Sequence, residues 1–264
     1  MEKTLERWKM SGGILSAREI ALTAVFAALS VVIIMFVPGI PIVGMSGARI
    51  TLDAAIAPIY GLIIGPYLGA LAAFLGGIIV AGYKGWHLFP ILTSFCPAVS
   101  ALVAGTLTSR RQGPLRGWII SALTLIILIA GWYCTAIGRG APLYPVLHLA
   151  ALCLILLLRG WASELFNSGG WKFTLSVAAA SYSGIIADHM LGNLIFIAGI
   201  GWFIPLKVVE GWLSGMGLPS VSALFMYMLP VSAVERLTMT AVATVFGVAL
   251  ITALRASGFM PRGE

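Results

Sequence analysis

Apolar residues run through this chain in blocks of about twenty, separated by short stretches rich in Gly, Pro and Arg. A helix needs roughly 20 apolar residues to cross the hydrocarbon of a bilayer. By that measure the pattern predicts eight spans: Ala17–Val37, Gly47–Gly65, Pro66–Gly82, Pro90–Thr108, Trp118–Ile137, Leu143–Leu158, Phe173–Ile200 and Pro230–Leu254. The second and third are short and hinge at Gly65-Pro66. On the third, Gly65, Gly69, Ala73, Gly76 and Val80 recur close to the helical repeat, which gathers small residues on one face. Glycine weakens a helix in water by about 1 kcal/mol relative to Ala, whereas in a membrane small residues let helix backbones approach closely.

Composition agrees with an all-α polytopic membrane protein. Of 264 residues, 60% are hydrophobic and 9% charged, with a mean hydropathy of +1.03. Soluble domains carry about 25% charged residues, so a water-soluble globule is excluded. The net charge of +7 is spread along the chain and forms no nucleic-acid-binding patch. Its distribution fits membrane topology. On an eight-span reading both termini share one side, where eleven of the Lys and Arg residues fall, with Arg49, Lys84, Arg139, Lys207 and Arg236 on the other; together these account for all 16. The positive-inside rule then puts both termini in the cytoplasm. The first sixteen residues are polar and the apolar run after them is long enough to remain an anchor, so no cleavable signal peptide is expected. Cys96, Cys134 and Cys153 sit inside apolar runs without disulfide or zinc spacing and read as small hydrophobes.

Candidate chemistry concentrates on one side. Within the apolar segment IIADHMLGNLIF, Asp188 and His189 are ionisable residues at membrane depth, which are expensive and commonly functional. Tyr182, His189, Asn193 and Phe196 share one helical face, and Gly184, Asp188 and Gly192 an adjacent one. Such a wall suits a polar heterocyclic ligand; a structural pair, with Asp188 neutralised by a base from another helix, is the alternative. Arg49, Asp53, Lys84, Trp86, His87, Glu210, Trp212, Glu235 and Arg236 fall on the same outer side. They supply both charge signs and aromatic rings, the mixture expected of a small-molecule site. His148 reads as a lone structural histidine. Two outer connections are unusual: Pro38–Thr51 is rich in Gly and Pro, and the stretch 201–229 is long, aromatic and Met-rich. Each is read either as cover for a pocket or as an interfacial segment.

Three features resemble a known family. They are SAREIALTAVFAALSVV, with a basic residue near the start of the first helix and alanines at Ala17, Ala21, Ala24 and Ala28; the hairpin DAAIAPIYGLIIGPYLGALAAFLGGIIVAG; and the outer loops. Together they resemble the substrate-binding S component of energy-coupling factor (ECF) transporters, the vitamin-uptake machines of prokaryotes, over about Ala17–Leu107. S components typically have six membrane helices. The resemblance therefore implies a six-helix bundle with an extra helical hairpin at 118–158, set between the first four helices (17–108) and the last two (173–254), in a single membrane domain. It also implies capture of a vitamin from outside, and docking through the Ala17, Ala21, Ala24 and Ala28 face onto a transmembrane coupling subunit that carries two ATPases. The other reading of that face is packing within the chain. No nickel- or cobalt-type N-terminal His motif is present, so the substrate is expected to be organic, with no metal or cofactor. There is also no GxxxxGK[ST] phosphate loop, which leaves ATP hydrolysis to partners.

Three other functions compete. An intramembrane enzyme would use Asp188 and His189, but a metal site normally needs three protein ligands and no HExxH is present. A stand-alone secondary transporter would commonly show internal repeats, and none is evident. A purely structural membrane subunit is the third.

Overall fold

The computed structural model describes residues 15–41, 49–50, 52–109 and 116–260, with side chains described for 15–39, 52–109 and 116–260. The chain is helical nearly throughout. In order, the elements are α1 (Ala17–Phe36), β1 (Ile40–Pro41), β2 (Arg49–Ile50), α2 (Asp53–Ile64), α3 (Pro66–Tyr83), α4 (Leu88–Thr93), α5 (Phe95–Thr108), α6 (Gly117–Cys134), α7 (Ala136–Gly140), α8 (Val146–Leu158), a 3₁₀ turn (Arg159–Trp161), α9 (Ala162–Asn167), α10 (Gly170–Gly199), α11 (Leu206–Gly215) and α12 (Val221–Ala256). The two strands form a minimal antiparallel ribbon, with Ile40 opposite Ile50 and Pro41 opposite Arg49.

Each predicted span corresponds to a helix. Among the described residues, six segments are long and apolar enough to cross a membrane: Ala17–Phe36, Pro66–Tyr83, Leu88–Thr108, Gly117–Cys134, Val146–Asn167 and Val221–Ala256. The Asp53–Ile64 helix is apolar but shorter. Helix α10, at 30 residues, has ample length but is diluted by Lys172, Asp188, His189, Asn193 and several serines. Large apolar side chains such as Val25, Phe36, Ile127, Leu157, Val245 and Phe246 are exposed, the surface expected of a bundle solvated by lipid.

Local chemistry sets the boundaries. Helix α1 starts with a capping box: the Ser16 hydroxyl accepts from the Glu19 N–H, and the Glu19 carboxylate accepts from the Ser16 N–H, satisfying two otherwise orphaned donors. Between α2 and α3, Gly65 adopts φ +89°, a left-handed conformation that glycine tolerates without strain, and Pro66 occupies the first position of α3. The stripe on α3 does what small residues do in bilayers. A Cβ on Gly69 would lie 2.5 Å from the Gly61 backbone nitrogen, and one on Gly76 would collide with the Ser30 side chain. Helix α3 therefore meets α2 backbone to backbone, and meets α1 through the short Ser30 side chain and the Ala27 carbonyl, around a small core of Phe26, Tyr60, Ala72, Ala73 and Ala101.

Two expectations need correction. The stretch 201–229 is not a long loop: it contains α11 and the first nine residues of α12. Pro230 reads as a helix start, since proline favours the first turn, yet it stands inside α12. The actual start is Ser220, whose side chain accepts from the Ala223 N–H; a proline within a membrane helix is tolerated when its surroundings satisfy the freed carbonyl. The second span begins at Asp53 rather than Gly47, giving way upstream to the ribbon strand β2.

The 118–158 hairpin is built into the main core. Trp132, Tyr144, Ala151 and Ile155 from its helices and turn are buried with Val103, Leu107, Val177, Ile186 and Met190 of α5 and α10. The two ends of the described chain meet: Arg18 donates to the Phe259 carbonyl, and its guanidinium lies 4.3 Å from the centre of the Phe259 ring. The start of α1 and the end of α12 are therefore on one side of the bundle, as an even number of crossings requires.

Candidate functional site

A cavity of about 430 Å³ opens in the half of the bundle opposite that clasp, within the roughly 300–1,000 Å³ typical of small-molecule sites. Its wall comes from the same ends of several helices. Helix α1 contributes Ile34 near its end; α2 contributes Asp53 at its start; α3 contributes Val80 and, just past it, Lys84. Helices α4 and α5 add Phe89, Ser94 and Cys96, α10 adds Asp188, His189 and Asn193, and α12 adds Arg236. Formal charges on this wall cancel, with Asp53 and Asp188 against Lys84 and Arg236.

Three of these side chains are more than nine-tenths buried and incompletely satisfied. Asp188 is 8% exposed, His189 9% and Arg236 6%. Asp188 Oδ2, His189 Nδ1 and Arg236 Nε have no hydrogen-bond partner. Arg236 reaches Glu235 at 3.8 Å and the Met239 sulfur at 3.5 Å through its terminal nitrogens. A buried polar group without a partner costs about 1–3 kcal/mol, more when charged. All three belong to residues that line one cavity.

His189 and Asn193 are held from behind. The Tyr144 hydroxyl accepts from Asn193 Nδ2 at 3.0 Å and lies 3.2 Å from His189 Nε2. Tyr144 stacks on Trp132, with ring centres 4.7 Å apart, and meets Phe225 edge-on at 4.9 Å. His148 is not a lone histidine: its ring stacks on His189 at 5.4 Å, with both nitrogens buried and unpaired.

Of the residues singled out from the sequence, Asp53, Lys84, Asp188, His189, Asn193 and Arg236 come together on the cavity wall. Glu235 pairs with Arg236 beside it. Trp86 and His87 are exposed just past α3, and Trp86 packs instead against Gly82. Tyr182 turns to the hairpin, donating to the Leu147 carbonyl at 3.1 Å. Arg49 stands in β2, and its side chain lies outside the described residues. Sequence reasoning passed over Tyr144, Phe89, Ser94 and Cys96. Tyr144 carried one usable signal, a polar ring in a Pro-flanked turn (APLYP) inside an otherwise apolar hairpin. Among the described residues no group of three His, Cys, Asp or Glu is placed to hold a metal.

On helix α1 the buried face is Thr23, Phe26, Ala27, Ser30 and Ile33. Ala17, Ala21, Ala24 and Ala28 are all exposed. Among the described residues, that face is left uncovered.

Comparison with known proteins joins these features. Residues 14–140 match the model of the family described as the ECF-type riboflavin transporter, S component. Over that stretch, just under half of its length, the chain is similar to the ECF S components. The matched region takes in α1 to α7, further along the chain than the motifs that carried the resemblance, and ends in the turn of the 118–158 hairpin. An uncharacterised protein of Methanocaldococcus jannaschii is 28% identical over 155 residues, which is 58% of this chain and 50% of the relative. The chain thus spans about half the length of the curated relative it matches. No solved structure matches it.

Proposed function

We propose that this protein is the substrate-capturing subunit of an ECF-type importer. It takes a flat, uncharged vitamin of the riboflavin kind from outside the cell and docks on a coupling subunit with two ATPases. The observation that carries the reading is the cavity with Asp188, His189 and Arg236 buried around it and incompletely paired. Cancelling charges on its wall favour a neutral ligand, because a charged one would bury an uncompensated charge. Phe89 at the wall and Phe203, 6.2 Å away, give a planar ring system apolar surface to pack on.

Orientation follows from charge. The side that holds the termini carries most of the Lys and Arg, so it faces the cytoplasm and the cavity opens outward. The exposed Ala17, Ala21, Ala24 and Ala28 face supports the docking role: small residues permit close backbone approach by a partner helix, and none of the described residues covers that face. Mass spectrometry of small molecules extracted from the purified protein, followed by titration with riboflavin under fluorescence, tests the substrate. Submicromolar binding of riboflavin or a related flavin is expected. A stably folded protein that binds none of them overturns the substrate assignment, and uptake that persists without ATPase partners overturns the transporter class.

A further inference from the structure

We propose that Tyr144, supplied by the hairpin turn, is a positioning residue for the cavity. It fixes which nitrogen of His189 carries the proton and which end of the Asn193 amide faces the ligand. This rests on the reading of the cavity as a binding site for a neutral heterocycle.

The geometry behind it is compact. Tyr144 is 2% exposed and is held between the Trp132 and Phe225 rings, so its hydroxyl has little freedom to move. That hydroxyl has one proton to give and two lone pairs to receive. Asn193 Nδ2 fills one lone pair, and Ser232 stands beside the same oxygen. His189 Nε2 is 3.2 Å away. A phenol is a stronger donor than an aliphatic hydroxyl, and an imidazole nitrogen is a stronger acceptor than either. The proton of Tyr144 therefore goes to Nε2, with the Ser232 hydroxyl free to donate to the phenol oxygen. A neutral imidazole carries one proton, and which nitrogen holds it follows from the hydrogen bond made by the other. With Nε2 accepting, Nδ1 becomes the donor, and Nδ1 is the buried, unpartnered atom of this wall residue.

Asn193 is set by the same contact. Its amide nitrogen is engaged with Tyr144, which leaves the amide oxygen as the acceptor on a residue that lines the cavity. The wall then offers a donor from His189 and an acceptor from Asn193 one helical turn apart. That pattern is complementary to a ring amide, which presents a carbonyl next to an N–H. The hairpin would thus act on the ligand through two residues of α10 without touching it.

The test uses the full chain in lipid nanodiscs, labelled with ¹⁵N-histidine. The His189 signals are identified by their loss in His189→Gln. In ligand-free protein, His189 is expected to be protonated on Nδ1 and bare on Nε2. In Tyr144→Phe, which keeps the stacked ring and deletes only the hydroxyl, that preference is lost. Riboflavin binding is expected to weaken about tenfold, as for one hydrogen bond of ordinary strength, and the melting temperature to fall as Asn193 and His189 lose a buried partner. Protonation on Nε2 in the unsubstituted protein overturns the proposal, and does so even if Tyr144→Phe fails to fold. A variant that keeps the tautomer, or binds riboflavin as tightly as the parent, also overturns it. If the folded parent does not bind riboflavin at all, the substrate assignment fails and the tautomer measurement decides the role of Tyr144 alone.

Discussion

Ala24 and Ala27 lie less than one helical turn apart on α1 but face opposite surroundings, and a tryptophan at each separates docking from folding. Ala27 is 5% exposed and its carbonyl oxygen lies where α3 comes closest, 3.0 Å from the position of a Cβ built on Gly76. A Trp there has no room, and overpacking of this kind costs about 1–3 kcal/mol. At roughly 2–4 °C per kcal/mol for a chain of this size, Ala27→Trp is expected to lower the melting temperature by about 2–12 °C. Ala24 is exposed, so Ala24→Trp should change stability by no more than about 0.5 kcal/mol and leave riboflavin affinity intact. Its effect belongs to the coupling subunit: wedging an indole between two small-residue faces costs a similar 1–3 kcal/mol, or about 5- to 150-fold in docking. Thermal melts and riboflavin titration on the isolated protein, with uptake in vesicles containing the coupling subunit and ATPases, read all three quantities. If Ala24→Trp loses stability and binding as Ala27→Trp does, the alanine face is internal packing; if it transports normally, the face is not where the partner docks.

Other substitutions probe the cavity and the bundle. Asp188→Asn keeps the shape but removes a buried, incompletely paired carboxylate; riboflavin binding should fall about 10- to 100-fold, while melting temperature holds or rises because an uncompensated buried charge is relieved. Gly76→Ala should cost about 1–3 kcal/mol because its Cβ collides with Ser30, whereas Gly211→Ala, with open space around it in α11, should stabilise by up to about 1 kcal/mol; paired melts read both. Arg255→Met removes a guanidinium that sits 5.0 Å from the Phe166 ring centre and 4.4 Å from that of Phe173 while donating to the Phe166 carbonyl at 2.8 Å; a loss of about 1–3 kcal/mol is expected by thermal unfolding, with riboflavin affinity unchanged.

The helices were legible because lipid imposes a simple rule on sequence: a crossing needs a long apolar run, and little else satisfies the backbone there. Local exceptions hid where that rule is loose. Pro230 looked like a beginning because proline is usually placed at one, and only the Ser220 cap, ten residues upstream, marks the true start. In the site, Asp188, His189 and Asn193 announced themselves as polar groups at membrane depth. Arg236 did so less clearly, because from the sequence it stood at the start of a span rather than well inside one. Tyr144, beyond the polar ring in its Pro-flanked turn, was hard to read for a different reason. Its role depends on the 118–158 hairpin folding back against α10, and nothing in a stretch read as a possible insertion says which helix it will meet. Trp86 shows the reverse error: an aromatic beside a charged cluster in sequence turns, in the fold, onto Gly82.

The close contact among α1, α2 and α3 has a mechanical meaning. Where side chains separate two helices, rotamer changes let one roll or slide by an ångström or so. Where Gly69 meets the Gly61 backbone and Gly76 meets only the short Ser30 side chain, that cushion is thin, and packed interiors transmit strain instead of absorbing it. Helix α1 therefore cannot tilt by itself. A force applied to its outward alanine face is handed on to α3, whose far end carries Val80 and leads into Lys84 on the cavity wall. The three helices form a stiff lever, with the exposed alanine face along one edge and the cavity at one end.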